Sequence, residues 1–241
     1  MDTSSRERPQ DEIPSVCRSC EARHGGLCST LTSQQLTELN RHSTRRSIES
    51  GIELVGQGDD VESYSNVLRG VVKLSKMMSD GRQQIVGLQF APDFLGRPFQ
   101  PESSLSAEAA TEVQLCSFPR SILERMVAST PSMERGLLNQ ALAELDDARD
   151  WMLTLGRKNA QEKVASFLHL ISTHYDGEVA ETTSFDLPLS RAEIADFLGL
   201  TIETVSRQMT KLRQDGVISI ANNRHITVGS TERLARAAGE I

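Results

Sequence analysis

No stretch of this sequence approaches the ~18 consecutive apolar residues that a membrane-spanning helix needs. The N-terminus is polar and lacks the apolar core of a secretory signal, so the protein is expected in the cytoplasm, away from any membrane. Basic charge is in deficit: the formal net charge is −7. That argues against a broad nucleic-acid-coating surface and leaves room only for a small, locally basic reader. Histidine is missing from the whole span between His42 and His169. A cupin-like catalytic metal site relies on imidazole and carboxylate ligands, so an enzyme is not expected here. Cysteine is scarce, at 4 residues. In a cytosolic chain so few thiols point to metal or redox chemistry before disulfides. There is no internal repeat and no low-complexity tract.

What is present reads as an α+β chain with a β-rich first half. Residues 1–16 are polar, contain Pro9 and Pro14, and are expected to be disordered. Residues 30–41 suggest a short helix with Leu36 and Leu39 inward. Between residues 44 and 118, runs such as IELV, NVLRGVVKLSKM, QQIVGLQF and EVQLCSF alternate with Gly, Asp and Pro turns. Several short strands with regular turn signals predict a β-barrel or jelly roll. A helix over Ile122–Val127 follows, then a long helix, a natural hinge at Gly156, and an amphipathic helix over Asn159–Ser172. His174–Ser184 reads as a loop or short strand. The expected parts are a cysteine-bearing sensor segment (1–30), a barrel (31–125), a dimerisation helix (126–156) and a winged helix-turn-helix (157–241).

The long helix carries a seam. Leu138, Ala141, Leu145, Ala148, Met152 and Leu155 recur at alternating three- and four-residue steps, the a and d positions of a two-stranded coiled coil. Glu144 at g and Arg149 at the following e position form an opposite-charge pair across a parallel dimer. The small Ala141 and Ala148 let two helices approach closely. Leu137, Leu142 and Leu153 lie off the seam and are expected to cover the helix's own subunit, as is Trp151. The outer acids Asp146, Asp147 and Asp150 are expected to repel one another in a pair. An ordinary buried helix with a wide apolar face is the competing reading.

Cys17 and Cys20 are separated by two residues, and Cys28 follows seven residues later, after Gly25 and Gly26. The two glycines let the chain fold back and bring the third thiol near the others. Cys116, in a β-type run, is the remaining candidate ligand, and would pin the segment to the barrel. All-thiolate coordination suits zinc and iron–sulfur alike. Arg18, Arg23 and His24 would lessen a cluster's negative charge, and Leu27 would shield a sulfur. A redox dithiol is disfavoured because the βαβ setting of thioredoxin-like motifs is absent.

Near the C-terminus, Ser190 and Glu193 have capping-box spacing. Ile194, Ala195 and Leu198 face inward, Gly199 turns the chain, and Thr201 caps a second helix. Ile202, Val205, Met209 and Leu212 are its expected buried stripe. Glu203, Ser206 and Arg207 share another face near the N-terminus, the end a recognition helix offers to bases. Arg207 can bond guanine O6 and N7, and Glu203 can accept from the cytosine amine. Thr201, Lys211, Arg213 and Arg224 are further DNA-contact candidates. VISIANNRHITV, with its Asn222-Asn223 turn, predicts a hairpin wing.

Taken together, the four cysteines, the Arg157-Lys158-Asn159-Ala160 junction and Ile202-Glu203-Thr204-Val205-Ser206-Arg207 resemble the FNR-type oxygen-responsive regulators of the cyclic-AMP receptor protein superfamily. The resemblance covers nearly all of the chain after residue 16. It implies a cyclic-nucleotide-binding-like jelly roll, a long dimerisation helix and a winged helix-turn-helix. It further implies that Cys17, Cys20, Cys28 and Cys116 hold a [4Fe-4S] cluster. In that family the protein with an intact cluster dimerises and binds palindromic TTGAT-N4-ATCAA-like operators, mainly as an activator. Oxygen converts the cluster and weakens the dimer. Arg207 would read the guanine, Glu203 its cytosine and Ser206 a nearby thymine. RNA polymerase would touch barrel loops around Ser79–Arg82.

Two departures stand out. The seven-residue gap before Cys28 exceeds the five of the best-known members, so a different cluster lability is expected in this chain. The nucleotide-binding stretch reads Phe94-Leu95-Gly96-Arg97 and then Ser103-Ser104-Leu105-Ser106-Ala107. It lacks the acid and the phosphate-binding Arg, so cyclic AMP is not the expected signal. The alternative is a zinc-stapled regulator of the same superfamily that responds to a small molecule in the barrel.

Overall fold

A computed structural model describes residues 13–176 and 182–240. The expected disorder of residues 1–16 therefore falls mostly outside the described residues, but Ser15 and Val16 already belong to α1 (Ser15–Arg18). Then come α2 (Glu21–His24), a 3-10 turn (Leu27–Thr30) and α3 (Ser33–Arg41). Helix α3 starts where Thr32 and Gln35 bond each other's backbone amides, a complete capping box. Its apolar positions Leu36 and Leu39 are buried.

Strands β1 (Thr44–Ile48), β2 (Glu53–Val55), β3 (Ser63–Arg69), β4 (Val72–Met77), β5 (Gln83–Gln89), β6 (Phe94–Leu95), β7 (Ser106–Ala109) and β8 (Val113–Pro119) make two four-stranded sheets. Their orders are β1-β8-β3-β6 and β2-β7-β4-β5. The sequence pattern misses β1 and β7. Strand β1 reads TRRSI and is almost wholly exposed, so it has no apolar alternation to detect. Its position comes from its ladder with β8, which sets Arg45 opposite Cys116. The run from Asn66 to Met77 breaks at Gly70 (φ 85°), where a Cβ would fall 2.2 Å from the Glu112 carbonyl oxygen; only glycine fits.

The final β-strand leads into α4 (Arg120–Ser129) and, after Thr130, α5 (Pro131–Arg157). The long helix therefore starts at Pro131 rather than 126, since proline is suited to a first helical turn. Gly156 lies inside α5, one residue before its end. By internal contacts the chain forms two units, residues 1–72 with 89–142 and residues 73–88 with 143–241. The first has a core of Leu27, Leu31, Leu36, Leu39, Tyr64, Phe118, Leu123 and Met133, against which Leu137 packs.

In the second unit, Asn159 caps α6 (Ala160–Asp176), accepting from the Gln161 and Glu162 amides while Glu162 accepts from its own. After β9 (Thr183–Asp186) come α7 (Arg191–Leu198), α8 (Ile202–Gln214), the hairpin β10 (Ile218–Ala221) and β11 (His225–Val228), and α9 (Thr231–Ala238). Part of the predicted 174–184 loop lies outside the described residues; its end is β9, which joins β11 to complete a three-stranded wing sheet. Helix α9 is an addition to the sequence reading; it buries Leu234 and Ala238, and the adjoining Glu240 pairs with His169 at 2.7 Å. No described helix is long and apolar enough to cross a membrane.

Candidate metal centre and nucleic-acid interface

Three short N-terminal elements and one strand bring the cysteines together. Cys17 lies in α1, Cys20 caps α2, Cys28 sits in the 3-10 turn, and Cys116 is on β8. All four line one pocket, with Arg23, Leu36, Leu39, Asn40, Ser43, Arg45, Asn66 and Phe118. The fold-back depends on Gly26, whose added Cβ would meet the Pro92 carbonyl oxygen at 2.7 Å. None of the four is in a disulfide. Among the described residues, no three His, Cys, Asp or Glu side chains close on a point that one metal ion could occupy.

Cys17, Cys28 and Cys116 sit where they resist ionisation on their own. Burial, reinforced by Cys116 and Cys20, pushes Cys28 up to about 12, against the opposing hydrogen bond from Asn66. Burial also raises Cys116, opposed by Ser43 and Arg45, and raises Cys17 together with Cys20, opposed by Arg45 and Arg23. Thiolates here need a strong cation to form, which is the relation between a metal and its cysteine ligands. A cluster with four thiolates suits this donor set, and so does zinc.

Of the expected charge-compensating groups, only Arg23 lines the pocket. Arg18 donates from Nε to the Ile13 carbonyl at 3.3 Å, and exposed His24 turns its Nε2 to the Arg18 carbonyl. Arg45 was not singled out in the sequence. It lines the pocket from β1 and also donates to the Val16 carbonyl at 2.6 Å. Leu27 is buried beside Cys28 in the core.

On α5 the seam residues Leu138, Leu145 and Met152 are 58%, 45% and 71% exposed, and Ala141, Glu144, Ala148 and Arg149 are exposed as well. Leu155 is half-buried. Leu142 and Leu153 are exposed, at 50% and 59%. They do not cover their own subunit as expected, and they widen the apolar stripe. Leu137 does cover it, and Trp151 packs on Phe197 of α7 with ring centroids 4.6 Å apart and ring planes tilted by 58°. Arg149 reaches Asp146 on its own helix at 2.8 Å.

The C-terminal reader is built by local rules. Ser190 and Glu193 form a full capping box, Gly199 ends α7 at φ 61°, and Thr201 accepts from the Thr204 amide to start α8. Val205, Met209 and Leu212 are buried, but Ile202 is 48% exposed. The first helical turn projects beyond the packed stripe, so Ile202 shares the open surface with Glu203, Ser206 and Arg207, all exposed. The first-turn backbone amide and the Thr201 hydroxyl hold Glu203 below the usual carboxylate range, so it presents an ionised acceptor. Arg207 rests on Thr204 at 3.4 Å. Lys211 and Arg213 are exposed in the last turn. Arg224 is exposed yet tied by its Nε to the Leu187 carbonyl at 3.0 Å, which makes it a brace of the wing. Asn222 and Asn223 take positive φ, 50° and 60°, as a tight two-residue hairpin turn requires.

Residues 45–130 match the cyclic nucleotide-binding domain family, and residues 162–237 the Crp-like helix-turn-helix domain. The chain is 62% identical over 236 residues to a probable transcriptional activator of Rhizobium leguminosarum bv. viciae, covering 98% of each chain. It is 40% identical over 236 residues to the transcriptional activator protein FnrL of Cereibacter sphaeroides, covering 95% of each. The structure of FixK2 from Bradyrhizobium japonicum superposes with a TM-score of 0.72 at 35% identity, covering 81% of this chain and 96% of that one. This chain belongs to the CRP/FNR superfamily of transcription regulators.

Proposed function

We propose that this protein is an oxygen-responsive transcription activator whose pairing on DNA is governed by a [4Fe-4S] cluster held by Cys17, Cys20, Cys28 and Cys116. The observation that carries this is the convergence of all four cysteines on one pocket, with Cys116 arriving from a strand far along the chain. Each cysteine of a cluster binds a different iron, so four cysteines that line one pocket without closing on a single point suit it better than a single tetrahedral zinc. When bound, the cluster supplies an oxygen-labile cross-link between the N-terminal segment and the barrel.

The chain's own residues supply the rest. Leu27 and Cys28 pack in one core with Met133, and Leu137 lies against it, so the cysteine turn and the first turns of α5 share a wall. Holding that turn favours the arrangement of α5 that presents Leu138, Leu142, Leu145, Met152 and Leu153 to a second copy. A homodimer sets two α8 helices about one DNA turn apart on a TTGAT-N4-ATCAA-like palindrome. Arg207, Glu203 and Ser206 read each half-site there, with Thr201, Lys211 and Arg213 on phosphates. The names of the two relatives, both transcriptional activators, support activation, with RNA polymerase meeting the barrel around Ser79–Arg82.

Cyclic AMP is not the signal in this reading. Tyr64 is buried in the core it shares with Leu36, Leu39 and Leu123, beneath Gly96, where a Cβ would fall 2.3 Å from its ring, and it donates to Glu124 at 2.7 Å. Glu124 in turn accepts from the Phe99 amide at 2.8 Å. The test is purification under argon with iron, sulfide and zinc analysis, then operator binding before and after air. Iron and sulfide in equal amounts, with binding lost in air, is the expected result. One zinc per chain without sulfide moves the assignment to a zinc-stapled regulator.

A further inference from the structure

Asn66 occupies an expensive position. It sits on β3 opposite Cys116 in the β3–β8 ladder and is 1% exposed. Its Nδ2 lies 3.3 Å from the Cys28 sulfur, while its Oδ1 has no hydrogen-bond partner. A buried acceptor left without a partner costs its full desolvation, and an apolar group of the same shape avoids that cost. The bond it does make is weak as long as Cys28 is a thiol, a poor acceptor. The same N–H becomes a charge-assisted bond once the sulfur is a metal-bound thiolate. Cys28 is the one buried cysteine of the four, and the Asn66 amide donates to its sulfur. The side chain therefore fits the loaded site better than the empty one.

We propose that Asn66 is a positioning residue for the metal centre: its amide N–H holds the Cys28 sulfur on iron and raises the reduction potential of the cluster. This rests on the iron–sulfur reading above. Hydrogen bonds to ligating sulfurs are a main determinant of cluster potential, because they stabilise the more negatively charged, reduced state. Outer-shell partners of metal ligands commonly contribute 10–100-fold to metal retention.

The experiment compares the full-length wild type with Asn66→Leu, both loaded under argon. Redox titration gives the midpoint potential, and bleaching by an iron chelator gives the retention half-life. Thermal melting of the metal-free proteins reads the fold alone. Asn66→Leu is expected to take up iron and sulfide, to titrate at a more negative potential, and to bleach about 10-fold faster. Its metal-free form is expected to melt no lower than wild type. A merely structural role would lower that melting temperature and leave the potential in place. If Asn66→Leu does not fold, Asn66→Ala carries the comparison of midpoint potential and retention half-life, with the same expected directions. Equal potentials and equal half-lives overturn the proposal while the iron–sulfur reading stands. A wild type that takes up no iron and sulfide overturns both.

Discussion

Gly136 of α5 lies directly against Thr30, the last residue of the turn that carries Cys28. A Cβ built on Gly136 would come within 2.6 Å of Thr30 Cγ2. A helix-interior glycine costs up to about 1 kcal/mol against alanine, and here it makes room for the cysteine turn. The turn that carries Cys28 and the first turns of α5 thus touch through close van der Waals packing.

Gly136→Ala is accordingly expected to destabilise the protein by about 1–3 kcal/mol through overpacking, despite alanine's better helix propensity. Thr30→Ser removes the offending methyl and keeps the hydroxyl bond to the Leu27 carbonyl, now 2.9 Å. The double variant should recover most of the loss. Urea denaturation of the four proteins measures the coupling; additive losses would show that the two residues do not share the contact.

The exposed stripe on α5 should behave as an interface. Leu145→Glu places a charge in the seam and is expected to leave the loaded protein monomeric in sedimentation under argon, with operator affinity falling in step. Replacing Asp146, Asp147 and Asp150 by Asn should strengthen pairing of the metal-free protein, since all three acids are exposed on the same helix. Unchanged pairing at low salt, where repulsion is least screened, would remove repulsion as the cause.

On DNA, Arg207→Ala is expected to cost about 1–3 kcal/mol per half-site and to relax preference at the guanine. Lys211→Ala should instead weaken all sequences alike and lower the salt slope by about one. Competition binding against single-base operator variants separates the two behaviours.

Lys73 of β4 pairs with Glu193 of α7 at 2.5 Å, within the second contact unit. Burial pushes the Glu193 carboxyl up, but Lys73 and the Ser190 amide and hydroxyl together hold it below the usual carboxylate range. A depressed carboxyl contributes its full stability above the unfolded-state value of 4.5 and loses it as pH falls through the folded-state value. Glu193→Gln should therefore destabilise at neutral pH, by about 1–2 kcal/mol for this half-buried pair. The gap to wild type should narrow only once pH falls below 4.5 and close as it passes through the lower folded-state value. Denaturation midpoints across that range check the sign.

The C-terminal half was legible because its rules are local. Capping boxes, a left-handed glycine and an Asn-Asn turn act over four residues or fewer, so Ser190, Gly199 and Asn222 announced themselves. The cysteines were equally plain by type and spacing. What surrounds them was not. Arg45 and Asn66 reach the pocket through strand register, and β1 is a charged, exposed strand that only its ladder with β8 defines. Ile202, placed in a buried stripe, and Leu153, expected to cover its own subunit, both stand open, because periodicity says which residues share a face and not whether anything covers it.

The most direct measurement is sedimentation of one anaerobically loaded sample before and after exposure to air, with operator binding followed in parallel. A dimer that binds its palindrome under argon and becomes a weakly binding monomer in air is expected. A dimer with unchanged mass and affinity after the iron and sulfide are gone would contradict control of pairing by the four cysteines.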